Sequence, residues 1–327
     1  MTPASTAPSV APAPLTGPPT SARWAGPSPF QAVGERLVFG FLLLCAVVTV
    51  MTTVGIVVIL GAETVHFFQW SGETPVGFLF GTELAPEASP PRFGILPLIW
   101  GTMVIAFGSS VIALPIGLLS AIYLSEYAPR RVRAVLKPTL ELLAGIPTIV
   151  YGYLAVLLVT PWLKAVFEPL GVAVETFNAL SACIVVGIMI IPLVSSLSED
   201  VLSAVPRGLR EAGYGLGATK FEVSTRIVLP AGLSGVAAAF ILAISRAIGE
   251  TMAVVLAAGS RPQITLNPLS SVETMTAYIV GVASGEAAAG SPEALSLFGV
   301  GMALFLITLT LNIASGFVLR RYREAYH

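Results

Sequence analysis

The sequence predicts an all-α integral membrane protein with six spans and both termini on the cytoplasmic side. Three observations carry that prediction. Of 327 residues, 55% are hydrophobic and only 11% charged, where a soluble domain carries about a quarter charged residues. Six stretches are long and apolar enough for a helix to cross a bilayer, which takes about 20 residues. They are Leu37–Leu60, Ile95–Leu124, Leu140–Val159, Ala179–Leu197, Ser234–Ala258 and Leu295–Leu319. The basic residues alternate between the loops in step with those spans. Arg23, Arg36, Arg130, Arg131, Arg133, Lys137, Arg207, Arg210, Lys220, Arg226, Arg320, Arg321 and Arg323 fall on one side, against Arg92, Lys164 and Arg261 on the other. The basic side is cytoplasmic by the positive-inside rule.

The same composition excludes a soluble enzyme and a disordered scaffold. A net charge of −1 leaves no basic surface for nucleic acid. Cys45 and Cys183 lie in apolar runs, and His66 and His327 are far apart, so no disulfide framework or metal site is expected.

Taken in order, residues 1–30 hold eight prolines and one charge, Arg23, and read as a flexible Pro/Ala-rich cytoplasmic tail. Residues 31–93 supply the first span and an outer loop. Span one is too long for the apolar region of a signal peptide, and bulky Leu44 before Cys45 does not suit a lipoprotein cleavage box, so it reads as a retained anchor. Residues 94–327 form the remaining core. Pro97 and Pro115 in span two call for a bend or an interfacial first turn. Between spans four and five, Pro206 opens a short helix over about 207–221, with Ala212, Leu216 and Thr219 on one face and an exposed Phe221 beyond it. Such a helix is either a docking element or an ordinary cap on the bundle. Its glycines do not make a phosphate cradle, because Gly217-Ala218-Thr219-Lys220 has the wrong order for a P-loop and no strand precedes it. Between spans five and six, Met275, Tyr278, Ile279 and Val282 at helical spacing predict a short amphipathic helix, a gate or binding-protein dock on one reading and a cover for the bundle on the other.

Span five contains Arg246 and, four residues on, Glu250. In one continuous helix these share a face and lie about 6 Å apart along the axis. An arginine near a span centre costs about 2.5–3.5 kcal/mol on insertion scales, so the pair predicts either a substrate site or a clamp to a neighbouring helix or subunit. A guanidinium fork suits a tetrahedral oxyanion, and a carboxylate beside it suits the proton of hydrogen phosphate, which sulfate lacks at neutral pH.

Two motifs resemble a known family. Glu211-Ala212-Gly213, then Gly217, then Ile227, Leu229 and Pro230 match the spacing of the EAA loop of ABC importer permeases, with Gly213 where that pattern has alanine. Arg246-Ala247-Ile248-Gly249-Glu250-Thr251-Met252-Ala253 and Gly145-Ile146-Pro147-Thr148-Ile149-Val150-Tyr151-Gly152 resemble stretches of phosphate-specific permeases. The Met252-Ala253-Val254 continuation and Gly285-Glu286-Ala287 resemble the PstC type rather than the PstA type.

The resemblance implies a type I, MetI-like transmembrane domain and a non-enzymatic subunit in the prokaryotic cytoplasmic membrane. It implies three kinds of partner besides the lipid bilayer: a PstA-like permease, two ATP-binding subunits carrying the ATP and Mg, and an extracytoplasmic phosphate-binding protein. Arg246 and Glu250 would line the path, and Glu211, Ala212, Gly213, Gly217, Ile227, Leu229 and Pro230 would couple to the ATPase. A permease for another oxyanion, or an ATP-independent channel or carrier, stands as the alternative; the second leaves the 211–230 motif without a purpose.

Overall fold

The computed structural model describes residues 29–286 and 290–323, with side chains at 34–285 and 290–317. The tail expected over residues 1–30 thus lies, up to residue 28, outside the described residues. The chain divides into two compact units, Met1–Val57 and Val58–His327. In the first, the described residues are helical, and Leu37, Phe41, Leu44, Val50 and Val54 are all exposed. A helix apolar on every side is one that lipid must cover.

The elements follow in order. Helix α1 spans Pro29–Ser71 and α2 Pro75–Phe80. Strands β1 (Leu84–Ala85) and β2 (Arg92–Phe93) pair antiparallel, Leu84 opposite Phe93. Then come α3 (Leu96–Ile122), α4 (Arg130–Ala144), α5 (Thr148–Leu154), α6 (Thr160–Phe167) and α7 (Ala179–Ala204). The segment between α7 and α11 holds α8 (Arg207–Gly215), α9 (Lys220–Val223) and α10 (Leu229–Ala231). The chain closes with α11 (Leu233–Ile248), α12 (Met252–Ala258), α13 (Met275–Gly281) and α14 (Pro292–Arg323). Five segments are long and apolar enough to cross a membrane: Gly34–Ser71, Leu96–Tyr127, Thr148–Leu170, Ala179–Ala204 and Pro292–Phe317. Counted as one span, the pair Lys220–Ala231 and Leu233–Ile248, bent by 72°, brings the number to six, with α11 as its crossing arm.

Span three starts at Thr148 rather than Leu140. Helix α4 ends at Ala144, and Gly145 through Pro147 turn the chain, Pro147 standing in the extended region with ψ 131°. Proline disfavours helix in the residue before it, so a helix entering Pro147 stops. Helix α4 is instead a separate amphipathic helix carrying Arg130, Arg131, Arg133 and Lys137, with no buried residue. In span two Pro97 falls in the first helical turn and Pro115 sits inside α3, which continues past it.

Ahead of three prolines the helices widen locally into π-turns, at Tyr123–Tyr127, Ala155–Val159 and Ser224–Val228. Each ends two residues before a proline: Pro129, Pro161 and Pro230. A proline ring crowds the carbonyl four residues back and offers no N–H to it. At each site the neighbouring N–H reaches back five residues instead: Ala128 to Tyr123, Thr160 to Ala155, Leu229 to Ser224.

Packing gives the spans their directions. Added Cβ atoms on Gly108 and Gly117 of α3 would meet Cys183 and Val194 of α7, and one on Gly187 would meet Ile112, so α3 and α7 run parallel with their backbones close. Thr64 donates to the carbonyl of Phe298, and Gly61 faces Met302, so the end of α1 runs antiparallel to α14. Spans two, four and six therefore run one way and the close of α1 the other, as the charge pattern requires. Near the acidic side, Phe67, Phe78, Phe93, Leu98, Met275 and Val300 make one core, with Phe67 and Phe93 edge to face at 5.2 Å. Near the basic side, Ala121, Leu202, Val223, Val228 and Val236 make another. Helix α13 forms where expected, but Met275, Thr276, Ala277 and Tyr278 are all buried, and the Tyr278 hydroxyl lies 2.7 Å from Ser296 Oγ. It is a core helix, which favours the covering role over an exposed gate.

Candidate functional site

Span five is broken where sequence periodicity makes it continuous. Helix α11 alone rises about 24 Å, short of the roughly 30 Å hydrocarbon core, and α12 continues it after Gly249-Glu250-Thr251. Gly249 has ψ 0°, and Gly249, Glu250 and Thr251 belong to neither helix. Arg246 consequently lies in α11 and Glu250 in the break beyond it, and the two form no ion pair among the described residues, which corrects the expectation of one shared helix face.

Each charge is placed by its own helix end. Arg246 is in the last turn of α11, where unsatisfied carbonyls favour a cation. It is exposed, on the stripe with Leu242 and Gly249, with buried Ala243 and Ala247 next to that stripe, and makes no hydrogen bond or ion pair among the described residues. Glu250 is 7% exposed and accepts from the N–H of Ala253 at 3.3 Å, capping α12. Its backbone carbonyl accepts from Thr276 Oγ1 at 2.9 Å, so α13 holds the break. Non-helical backbone at membrane depth is tolerated where protein buries it or where it borders a watery cavity. The break, with an unpartnered guanidinium beside it, is the strongest candidate site in the span region.

The second site is the 207–230 segment. Helix α8 stops at Gly215, not at Phe221. Gly217 adopts φ +84°, and the N–H groups of Gly217 and Ala218 bond back to Tyr214 and Gly213 at 3.0 and 3.1 Å. That is a left-handed helix ending, which glycine adopts without cost. An added Cβ there meets nothing within 4 Å, so within this chain the position serves the turn rather than a close approach. Thr219 then starts α9 in a capping box with Glu222.

The motif's two halves meet. A Cβ on Gly213 would stand 2.5 Å from Ile227 Cδ1, so the glycine seats Ile227. Leu229 and Pro230 open α10 ahead of the 72° bend into α11. Ala212 and Glu211 are exposed, and Glu211 has no partner among the described residues. Leu216 is 90% exposed and Phe221 67%, an apolar tip of the kind that a docking partner covers.

Residues outside the sequence reading complete this end. Arg210 binds the Glu126 carboxylate through Nε and Nη2, at 3.1 and 2.8 Å from Oε1. Glu199, wholly buried, is held by Arg133, Lys137 and Ser203. Desolvation lowers the Lys137 pKa, but Asp200 and Glu199 outweigh it and hold the ammonium above 10.5. A carboxylate at the apolar end of a span, as Glu126 and Glu199 are, was the available signal, because such a charge needs a partner.

With this geometry in view, residues 113–324 match the family described as binding-protein-dependent transport system inner membrane component. The chain belongs to that family. Within it, the sequence is 32% identical over 81% of its length to the probable ABC transporter permease protein YqgH of Bacillus subtilis, covering 84% of that protein. It is 36% identical to the phosphate transport system permease protein PstC of Xylella fastidiosa, covering 75% of this chain and 79% of that one. The fold is that of a subunit of a bacterial alginate ABC transporter, with TM-score 0.64 at 16% identity over 89% of this chain and 96% of that one. As a member of the family it is a multi-pass, all-α membrane permease.

Proposed function

We propose that this chain is the PstC-type permease of an ATP-driven importer of inorganic phosphate in the cytoplasmic membrane. It would share the path with a PstA-like permease and be driven by two separate ATP-binding subunits that hold ATP and Mg. An extracytoplasmic protein would deliver phosphate. The observation that carries the reading is Arg246: exposed, without a partner among the described residues, and set beside the break in span five. The permeases named for phosphate among the relatives support the cargo.

On this reading the exposed stripe Leu242–Arg246–Gly249 faces the sister permease, and the guanidinium meets phosphate in the space between them. Glu250 spends Oε1 on the Ala253 N–H and leaves Oε2 to accept the proton of hydrogen phosphate, a bond sulfate cannot donate. The exposed tip of Leu216 and Phe221 enters the ATPase, with Glu211 meeting a basic group there.

The test is uptake of labelled phosphate, against sulfate, by the reconstituted complex. A charge-assisted hydrogen bond contributes about 1.5–3 kcal/mol, so Arg246→Gln should lower phosphate uptake by about tenfold or more while assembly and ATP binding persist. Arg246→Lys should recover part, since a point charge lacks the fork. Wild-type uptake by assembled Arg246→Gln complex would refute the role of Arg246.

A further inference from the structure

The side chain of Arg210 leaves the coupling segment and ends on two different spans. Nε and Nη2 grip Glu126, at the end of span two beyond α3. Nη1 donates to the Val205 carbonyl at 2.5 Å and Nη2 to the Leu202 carbonyl at 2.7 Å, both at the end of α7. The guanidinium is 16% exposed and the carboxylate 5%. Nearby, Lys220 Nζ lies 4.9 Å from the Tyr127 ring centroid, and the Tyr127 hydroxyl is 3.5 Å from Ser224 Oγ. Every one of these contacts ties residues 210–224 to the ends of α3 and α7. Those two helices are in backbone-close, parallel contact at Gly108, Gly117 and Gly187, so they move as a pair. Helix α11, which carries Arg246, packs against α7 where Gly235 meets Val201.

We propose that the Arg210–Glu126 pair is the link through which displacement of α8 is passed to spans two and four. Arg210 is a positioning residue: it touches neither cargo nor nucleotide. A buried ion pair is a poor way to gain stability, since apolar residues of similar size do as well. What it supplies is a short, directional connection between elements that hydrophobic packing would let slide. The proposal rests on the reading above that α8 receives motion from an ATPase.

The experiment uses the assembled complex in proteoliposomes, with Cys45→Ser to remove the exposed native thiol. Assembly, ATP hydrolysis and phosphate uptake are measured for Glu126→Gln, Arg210→Gln and the double variant Glu126→Cys/Arg210→Cys. Coupling energies between sites correspond to about 5- to 150-fold. Each variant should therefore assemble and hydrolyse ATP within about twofold of wild type, yet import at least about tenfold less phosphate per ATP. Bridging the two cysteines with a short bifunctional thiol reagent should restore the ratio, and reductive release of the bridge should abolish it again. Wild-type import per ATP in the single variants overturns the proposal. So does a joint loss of assembly, hydrolysis and uptake that bridging leaves unrepaired, because the pair then only holds the fold. If the wild-type complex hydrolyses ATP and carries sulfate or another oxyanion instead, the cargo reading fails, and the same ratio measured on that anion still decides the link.

Discussion

A guanidinium in or beside a span needs something to take its charge, and three arginines here show two solutions. Arg133 and Arg210 take buried carboxylates on other helices. Arg246 takes only its helix end and an open face, which is why it is the candidate for an anion that comes and goes. Among carboxylates the contrast is Glu273, in the loop before α13. It is 8% exposed with no hydrogen bond or ion pair among the described residues, and burial pushes its pKa up from 4.5 to about 7. The folded state thus binds a proton that the unfolded state releases at lower pH, so stability falls as pH rises from about 4.5 and levels off above about 7. Glu273→Gln keeps the neutral form at every pH. Its thermal midpoint in the purified complex should match wild type at about pH 4 and exceed it at about pH 8. An equal gap at both values would show that the carboxyl does not titrate there.

At the scale of elements, the chain makes its function from interruptions. Span five breaks at Gly249–Thr251, span three starts at a Gly-Ile-Pro turn, and α8 stops at a left-handed Gly217. The last of these separates two explanations of the motif glycine. If its conformation is what matters, Gly217→Ala strains the turn by about 1–2 kcal/mol and Gly217→Asn by less, because asparagine tolerates that region. Thermal unfolding and import per ATP should then rank Gly, Asn, Ala. If close approach of the ATPase is what matters, both variants lose import and asparagine loses more. Gly215, with ordinary φ and open space around an added Cβ, is the control, and Gly215→Ala should leave both readings near wild type.

For the whole molecule, charge distribution and helix direction agree independently. The basic loops flank α4 and α8, and the parallel run of α3 with α7 puts the ends of both at that side. Single cysteines at Glu87 and Gly208, both exposed, in a Cys45→Ser background, should react with a membrane-impermeant thiol reagent from opposite sides of sealed vesicles. Labelling of both from one side would overturn the six-span arrangement.

Membership of the bilayer, the alternation of basic loops with the spans and the motif of the permease family were legible in the sequence, because each rests on local quantities. An apolar run, a local excess of arginine and a motif's spacing are the same in the unfolded chain and the folded one. Hydropathy averaged over a window could not register the three-residue break at Gly249–Thr251, nor the stop at Gly145–Pro147 within an apolar run. The facing of Arg246 away from Glu250 follows from that break, and only the folded backbone decided it. So it was with Arg210 and Glu126, which lie 84 residues apart. Each had a charge to satisfy, but which partner satisfied it depended on the parallel docking of α3 and α7, a choice that close packing at Gly108, Gly117 and Gly187 makes and that no local pattern encodes.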